Sequence, residues 1–162
     1  MGGSKQSRAD VFFATPITVP LRTLSEKAAI EYLEVLKNAL EILRSHTSGR
    51  VFLALEAEGW EDITASTTEM ALRDYTEVAQ ADAVVALYPS RGSSSVLVEL
   101  GWAAGLRKPI LIAVDQAENM VPLVRGLSAI TRVVITEFGE LGNLCSTLEA
   151  EATAFLNSVR PA

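Results

Sequence analysis

Apolar runs and amphipathic stretches alternate along the whole chain. Val11-Phe12-Phe13-Ala14-Thr15 is a short apolar run closed by Pro16, and it predicts a buried strand. Pro16 and Pro20 punctuate the next stretch, so residues 17–22 are expected to form a loop. Thr23 or Ser25 can cap the helix that follows, with Glu26 in its first turn. Ala29, Ile30, Leu33, Leu36, Leu40 and Leu43 then recur at helical spacing until Gly49. Residues 50–55 predict a second strand, and residues 56–67 are polar and irregular around Gly59 and Trp60. A helix from Thr67 or Thr68 to about Ala81 leads through Asp82 into the strongest strand signal, residues 83–88. A Gly- and Ser-rich loop, residues 89–94, precedes a helix over 95–106 and a strand over 109–114. A polar loop over 115–119, a short helix over 121–127, a strand over 132–136 and an amphipathic helix over 141–159 complete the chain.

This alternation predicts an α/β fold in three layers. A five-stranded parallel sheet carries helices on both faces, as in flavodoxin-like or Rossmann-like proteins. Continuous apolar strands, rather than alternating ones, agree with burial on both sides. Without repeats or low-complexity segments, residues 10–160 read as a single domain after a flexible stretch over 1–9.

Composition narrows the function. The 162 residues suit one domain, and a 49% hydrophobic fraction supports a real core. Lys plus Arg total 14 against 20 for Asp plus Glu, a net charge of -6. That balance argues against a nucleic-acid polymer or an anionic membrane as partner. A small acidic molecule held by backbone N–H groups stays compatible with it. A lone cysteine, Cys145, excludes an internal disulfide framework, and with a lone histidine, His46, excludes the usual zinc clusters, so no metal is expected. Cys145 reads as a packed small residue and His46 as structural or solvated. No apolar run reaches the length of a membrane span, and residues 1–10 lack the apolar core of a secretion signal, so a cytoplasmic location is expected.

Ligands of open parallel sheets bind beyond the C-terminal ends of the strands. That rule selects the loops after each strand, above all Arg91-Gly92-Ser93-Ser94-Ser95. Small residues let a backbone approach an anion, and the following helix supplies free N–H groups, so the loop reads either as a phosphate seat or as a simple helix cap. Glu99 stands among apolar neighbours on that helix and is either on a narrow solvated stripe or buried for a purpose. If Ser95 caps the helix, the helix dipole is expected to favour the ionised form, which suits a carboxylate nucleophile. Asp74 lies four residues after Met70 and four before Val78, near an apolar face, and reads either as functional or as a surface partner of Arg73. Trp60 and Tyr88, at strand exits, can touch a ligand or only pack. Asp10 and Asp82 each precede a strand and read as structural.

Several of these pieces together resemble the nucleoside 2-deoxyribosyltransferase superfamily, most of all its pyrimidine-nucleotide N-glycosidases, which act on CMP-type substrates. The resemblance is carried by Val11-Phe12-Phe13-Ala14-Thr15-Pro16, Glu58-Gly59-Trp60, Asp74 followed by Ala81-Asp82-Ala83-Val84-Val85-Ala86, and Val98-Glu99-Leu100-Gly101-Trp102-Ala103-Ala104-Gly105 with Lys108-Pro109. It implies that Glu99 is the catalytic glutamate, attacking or stabilising C1′ of the sugar. It implies that Asp74 positions the sugar or assists protonation of the base. Ser93, Ser94 and Ser95 correspond to the loop that holds a 5′-phosphate, while Thr15, Pro16, Ile17, Trp60 and Tyr88 are the further substrate-binding candidates. The implied partner is a small nucleotide or nucleoside, no metal or redox cofactor is needed, and a homodimer is implied. Apolar Leu72, Trp102 and Leu106 suit either such an interface or core packing. Two departures stand out. Ser95-Val96-Leu97 replaces the glycine that relatives carry shortly before the glutamate, and Ile17-Thr18 replaces an aromatic residue and an arginine after the proline. Three activities follow as alternatives: hydrolysis of a nucleoside 5′-monophosphate, transfer of a deoxyribosyl group between bases, and nucleotide sensing without catalysis.

Overall fold

A computed structural model describes residues 7–61, 64–88 and 94–159. Five strands, β1 (Val11–Ala14), β2 (Val51–Phe52), β3 (Ala83–Tyr88), β4 (Ile110–Val114) and β5 (Val133–Glu137), form one sheet in the order β2-β1-β3-β4-β5. Every pairing is parallel. This is the doubly wound α/β architecture expected from the alternation of elements, and its chain order reverses between β1 and β3.

The pleat sends alternate residues of each strand to opposite faces. Val11 and Phe13 of β1, Val85 and Leu87 of β3, and Leu111 and Ala113 of β4 join one core. Helices α2 (Glu26–His46) and α7 (Leu144–Asn157) cover it with Leu36, Leu40, Leu43, Leu148 and Phe155. Phe12 and Ala14, Val84 and Ala86, and Ile110 and Ile112 face the other way. Helices α4 (Thr67–Gln80) and α5 (Ser94–Gly105) cover that side with Val78, Val96, Leu100 and Ala103. Because β1, β3 and β4 are apolar on both faces, their sequences read as continuous runs.

Local chemistry sets the helix starts. Ser25 caps α2 by accepting the Ala28 N–H at 3.3 Å. Ser66 and Glu69 form a reciprocal capping box at α4, contributing about 1 kcal/mol. At the opposite edge of the sheet from the strand exits, Asp82 accepts the Asp10 N–H at 2.9 Å and Asp10 accepts the Arg50 N–H at 2.6 Å. These two aspartates tie the entrances of β1, β2 and β3 together.

Three local expectations change. Residues 17–22 are not a loop: Thr18–Thr23 is a short helix, α1. Pro20 is its third residue, where the N–H has no intrahelical partner to lose. The second strand stops at Phe52, and Ala54–Ala57 turns into a helical segment, α3. Leu53, Ala54 and Leu55 are buried all the same, so a short apolar run conceals the change from strand to helix. The expected short helix over 121–127 divides into α6 (Pro122–Arg125) and a 3₁₀ turn, Gly126–Ala129. Of the stretch 1–9 expected to be flexible, residues 7–9 are described. Ser7 and Ala9 are buried, and Ser7 bridges to Thr47 and donates to the Leu156 carbonyl at 3.0 Å.

Candidate functional site

A cavity of about 250 Å³ opens between α4 and α5, beside the segments that leave β1 and β2. Both helices line it at helical spacing: Thr67, Met70, Ala71 and Asp74 from α4, and Ser95, Val98, Glu99 and Trp102 from α5. Ile17 and Ala54 close it from the strand side, and Arg73 stands at its wall. Val96, Leu100 and Ala103 pack α5 on the sheet, and Glu99 stands at the border between that face and the cavity-lining stripe of Ser95, Val98 and Trp102. The Glu99 side chain lines the cavity between the two helices.

Glu99 is only 6% exposed, and its Oε2 has no hydrogen-bond partner among the described residues. Burial raises its pKa to about 8, the Asp74 charge adds to the rise, and Arg73 opposes it. Glu99 is the sixth residue of α5, beyond the first turn where a helix dipole acts most strongly, and burial is the largest influence on its titration. A carboxyl group with a pKa near 8 keeps its proton at neutral pH.

Asp74 is half-buried, and burial raises its pKa despite the attraction of Arg73. Arg73 Nε donates to Asp74 Oδ1 at 2.9 Å, and the same guanidinium reaches Glu58. Arg73, helped by the Thr64 N–H, holds the Glu58 carboxyl below the usual carboxylate range. Glu58, Arg73 and Asp74 thus form one connected chain of charges from the turn after α3 to the cavity. Sequence reasoning treated Arg73 only as a surface partner. Its adjacency to Asp74 was visible, but the reach to Glu58, fifteen positions earlier, was not.

The structure brings Ile17, Asp74, Ser95 and Glu99 into one cavity and leaves other candidates outside its lining. Thr15 is buried at the end of β1, with Oγ1 unpartnered among the described residues. The Pro16 carbonyl accepts the Tyr32 hydroxyl at 2.5 Å. Trp60 adopts a left-handed backbone (φ 66°) and packs against the α2–α7 core, with the Lys37 ammonium 5.1 Å from its ring centre. Tyr88 is buried in the opposite core, and its hydroxyl accepts the Val121 N–H at 3.2 Å. Ser94 is exposed at the start of α5. Ser93, Arg91 and Gly92 lie outside the described residues.

The remaining chemistry-bearing residues have structural surroundings. His46 lies against Glu149 at 3.2 Å and Thr153 at 2.9 Å. Cys145 is half-buried with Sγ 3.8 Å from the Val35 carbonyl. Among the described residues, no three His, Cys, Asp or Glu side chains are placed to hold a metal ion. No helix among them is long and apolar enough to cross a membrane.

A doubly wound sheet thus carries two carboxyl groups in one cavity beside the segments that leave β1 and β2, on the side where open α/β sheets bind their ligands. The chain belongs to the nucleoside 2-deoxyribosyltransferase family, whose profile matches residues 25–145. Solved structures repeat the fold. BlsM is 24% identical, with a TM-score of 0.74 over 94% of each chain. The CMP N-glycosidase BcmB of Clostridium botulinum is 19% identical, with a TM-score of 0.65 over 87% of this chain and 98% of its own. The 2-deoxyribosyltransferase of Bacillus psychrosaccharolyticus is 18% identical, with a TM-score of 0.59 over 95% of this chain and 99% of its own. No curated protein matches the sequence.

Proposed function

We propose that the protein is an N-glycosidase of a pyrimidine nucleoside 5′-monophosphate, with Glu99 beneath C1′ of the bound sugar. The observation that carries this reading is the pairing of Glu99 with Asp74 in one cavity beside the segments that leave β1 and β2. In the reaction the C1′–N bond breaks, and its electron pair leaves with the base. The sugar develops positive charge at C1′, which the Glu99 carboxylate stabilises or captures as an ester. Water then adds to C1′ and gives up a proton. Asp74 orients the sugar or assists protonation of the departing base. Ser94 and Ser95, in the first turn of α5, suit the 5′-phosphate, because a helix N-terminus favours an anion.

Glu99 acts as a carboxylate in this scheme, and in the free protein it ionises near pH 8. The kcat/KM for base release should therefore rise with pH and level off above about 8. Release of base is measured from a panel of nucleosides and their 5′-monophosphates, for wild type and Glu99→Ala. Release confined to monophosphates and abolished in the variant is the expected result. Full turnover by Glu99→Ala would remove the proposal. Adding a second free base separates hydrolysis from glycosyl transfer, because a transferase makes the new nucleoside. Tight nucleotide binding without base release would leave a sensor.

The protein is further proposed to work in the cytoplasm as a homodimer. Leu72 is 68% exposed, Val98 is 50% exposed, and Tyr75 stacks edge-on against Trp102 at 5.6 Å, so α4 and α5 present an apolar surface beside the cavity. Leu72→Glu should lower the sedimentation-derived mass to that of a monomer. A monomeric wild type would overturn the dimer.

A further inference from the structure

We propose that Arg73 is a positioning residue for this reaction, a fork between Glu58 and Asp74 that holds the Asp74 carboxylate at the cavity wall opposite Glu99. The proposal rests on the N-glycosidase reading above. Adjacent residues on a helix point about 100° apart and do not face each other. Asp74 and Arg73 meet only because the long Arg73 side chain turns back to place Nε 2.9 Å from Asp74 Oδ1. What holds it in that posture is the second arm of the guanidinium on Glu58. Glu58 is itself fixed, since its side chain is 7% exposed and it accepts the Thr64 N–H at 3.4 Å. Both arms of the fork are charge-assisted, the geometry in which arginine positions a carboxylate and lysine does not.

The arrangement also has an electrostatic consequence. Asp74 and Glu99 line one cavity, and the Asp74 charge disfavours ionisation of Glu99. The charged groups facing the pair are Arg73 on the same helix as Asp74, Glu77 one turn further along α4, and Glu58 from the turn after α3; Ser95 on α5 and Thr67 on α4 complete the polar lining. Arg73 is the cation of this group. It favours the ionised form of Asp74 against burial, Glu58 and Glu77, and it draws the Glu99 titration downward against burial and Asp74. Glu77 has its own partner in Arg50, so removing Arg73 leaves Asp74 and Glu99 without a cation among the described lining residues.

The experiment combines kinetics with a readout that needs no turnover. Carboxyl-carbon NMR titrations of Asp74 and Glu99 are recorded for wild type, Arg73→Met, Arg73→Lys and Glu58→Gln, with thermal unfolding as a check of folding. Arg73→Met should move both titration steps of the Asp74–Glu99 pair to higher pH. It should also lower kcat on the order of 10- to 100-fold, the usual penalty of a displaced catalytic group. Arg73→Lys should keep the titration steps near those of wild type, because the charge remains, yet lose kcat, because the fork does not. Glu58→Gln should lower kcat less than Arg73→Met. Unchanged titration steps in a folded Arg73→Met, or wild-type kcat in either arginine variant, would overturn the clamp. If wild type releases no base from any substrate, the N-glycosidase reading fails. The titrations then still decide whether Arg73 governs the carboxyl pair.

Discussion

Burial of Glu99 makes a quantitative demand on stability. The native carboxyl keeps its proton to about pH 8, whereas an unperturbed one loses it near 4.5. Between these values the native state binds more protons than the unfolded chain, so stability falls as pH rises. The contribution is intact below about 4.5, is lost progressively up to about 8, and is constant above that. At about 1.4 kcal/mol per pH unit, the total loss is on the order of 5 kcal/mol, a large part of the 5–15 kcal/mol that holds a typical domain. Glu99→Gln keeps the shape of the side chain and removes its titration. Urea unfolding of wild type and Glu99→Gln at intervals from pH 5 to pH 9 gives a difference curve in which all other titrations cancel to first order. The variant should gain steadily on wild type with rising pH, and the gain should level off above about 8. Any constant offset reflects the amide itself and carries no information on the proton. Asp74→Asn in the wild-type background should narrow the interval, because the neighbouring charge contributes to the rise. A flat difference curve would refute the reasoning, since it would mean that Glu99 is ionised in the folded protein at neutral pH.

Three further outcomes follow from particular contacts. Thr15→Val replaces a buried hydroxyl that has no partner among the described residues, so it should leave stability unchanged or raise it by up to about 1 kcal/mol in denaturant unfolding. Tyr88→Phe removes the bond from the Val121 N–H and should lower stability by about 1–2 kcal/mol while leaving KM unaltered, because Tyr88 does not line the cavity. Gly49→Ala would place a Cβ 2.3 Å from the Ala9 carbonyl oxygen, so either the β1 entrance or the α2–β2 turn must shift. A loss of about 1–3 kcal/mol, seen as a Tm lowered by several degrees, is expected.

The elements that the sequence disclosed most fully are those buried on both sides. Residues 83–88 and 110–114 are unbroken apolar runs because the sheet has a core on each face, so pattern and structure agree almost to the residue. The errors fall where local rules compete. Pro20 looked like a breaker but occupies the one region of a helix that tolerates it. The run from Val51 to Leu55 looked like a strand because burial, which continues through it, is blind to the change of backbone. For Trp60 and Tyr88, near strand ends, the sequence left contact with a ligand and packing as alternatives. Which face each side chain takes is decided by the backbone at that point: Tyr88 is buried in one core, and Trp60 packs half-buried against the other.

By itself, the sequence determined the alternation of the five strands with the long helices, and with it the three-layer α/β class, but not the short helices α1 and α3. It also held the acidic residues from which a site could be built. These are local properties, readable from periodicity, capping groups and apolar runs. The tertiary structure decided the strand order, the opposition of Asp74 and Glu99 across one cavity, and the reach of Arg73 from Glu58 to Asp74. It also decided the proton on Glu99. A glutamate four residues after Ser95 has the same ordinary chemistry in any exposed helix. Only removal from water by α4 and the segments leaving the sheet, with Asp74 close by, turns it into a carboxyl group that titrates near pH 8.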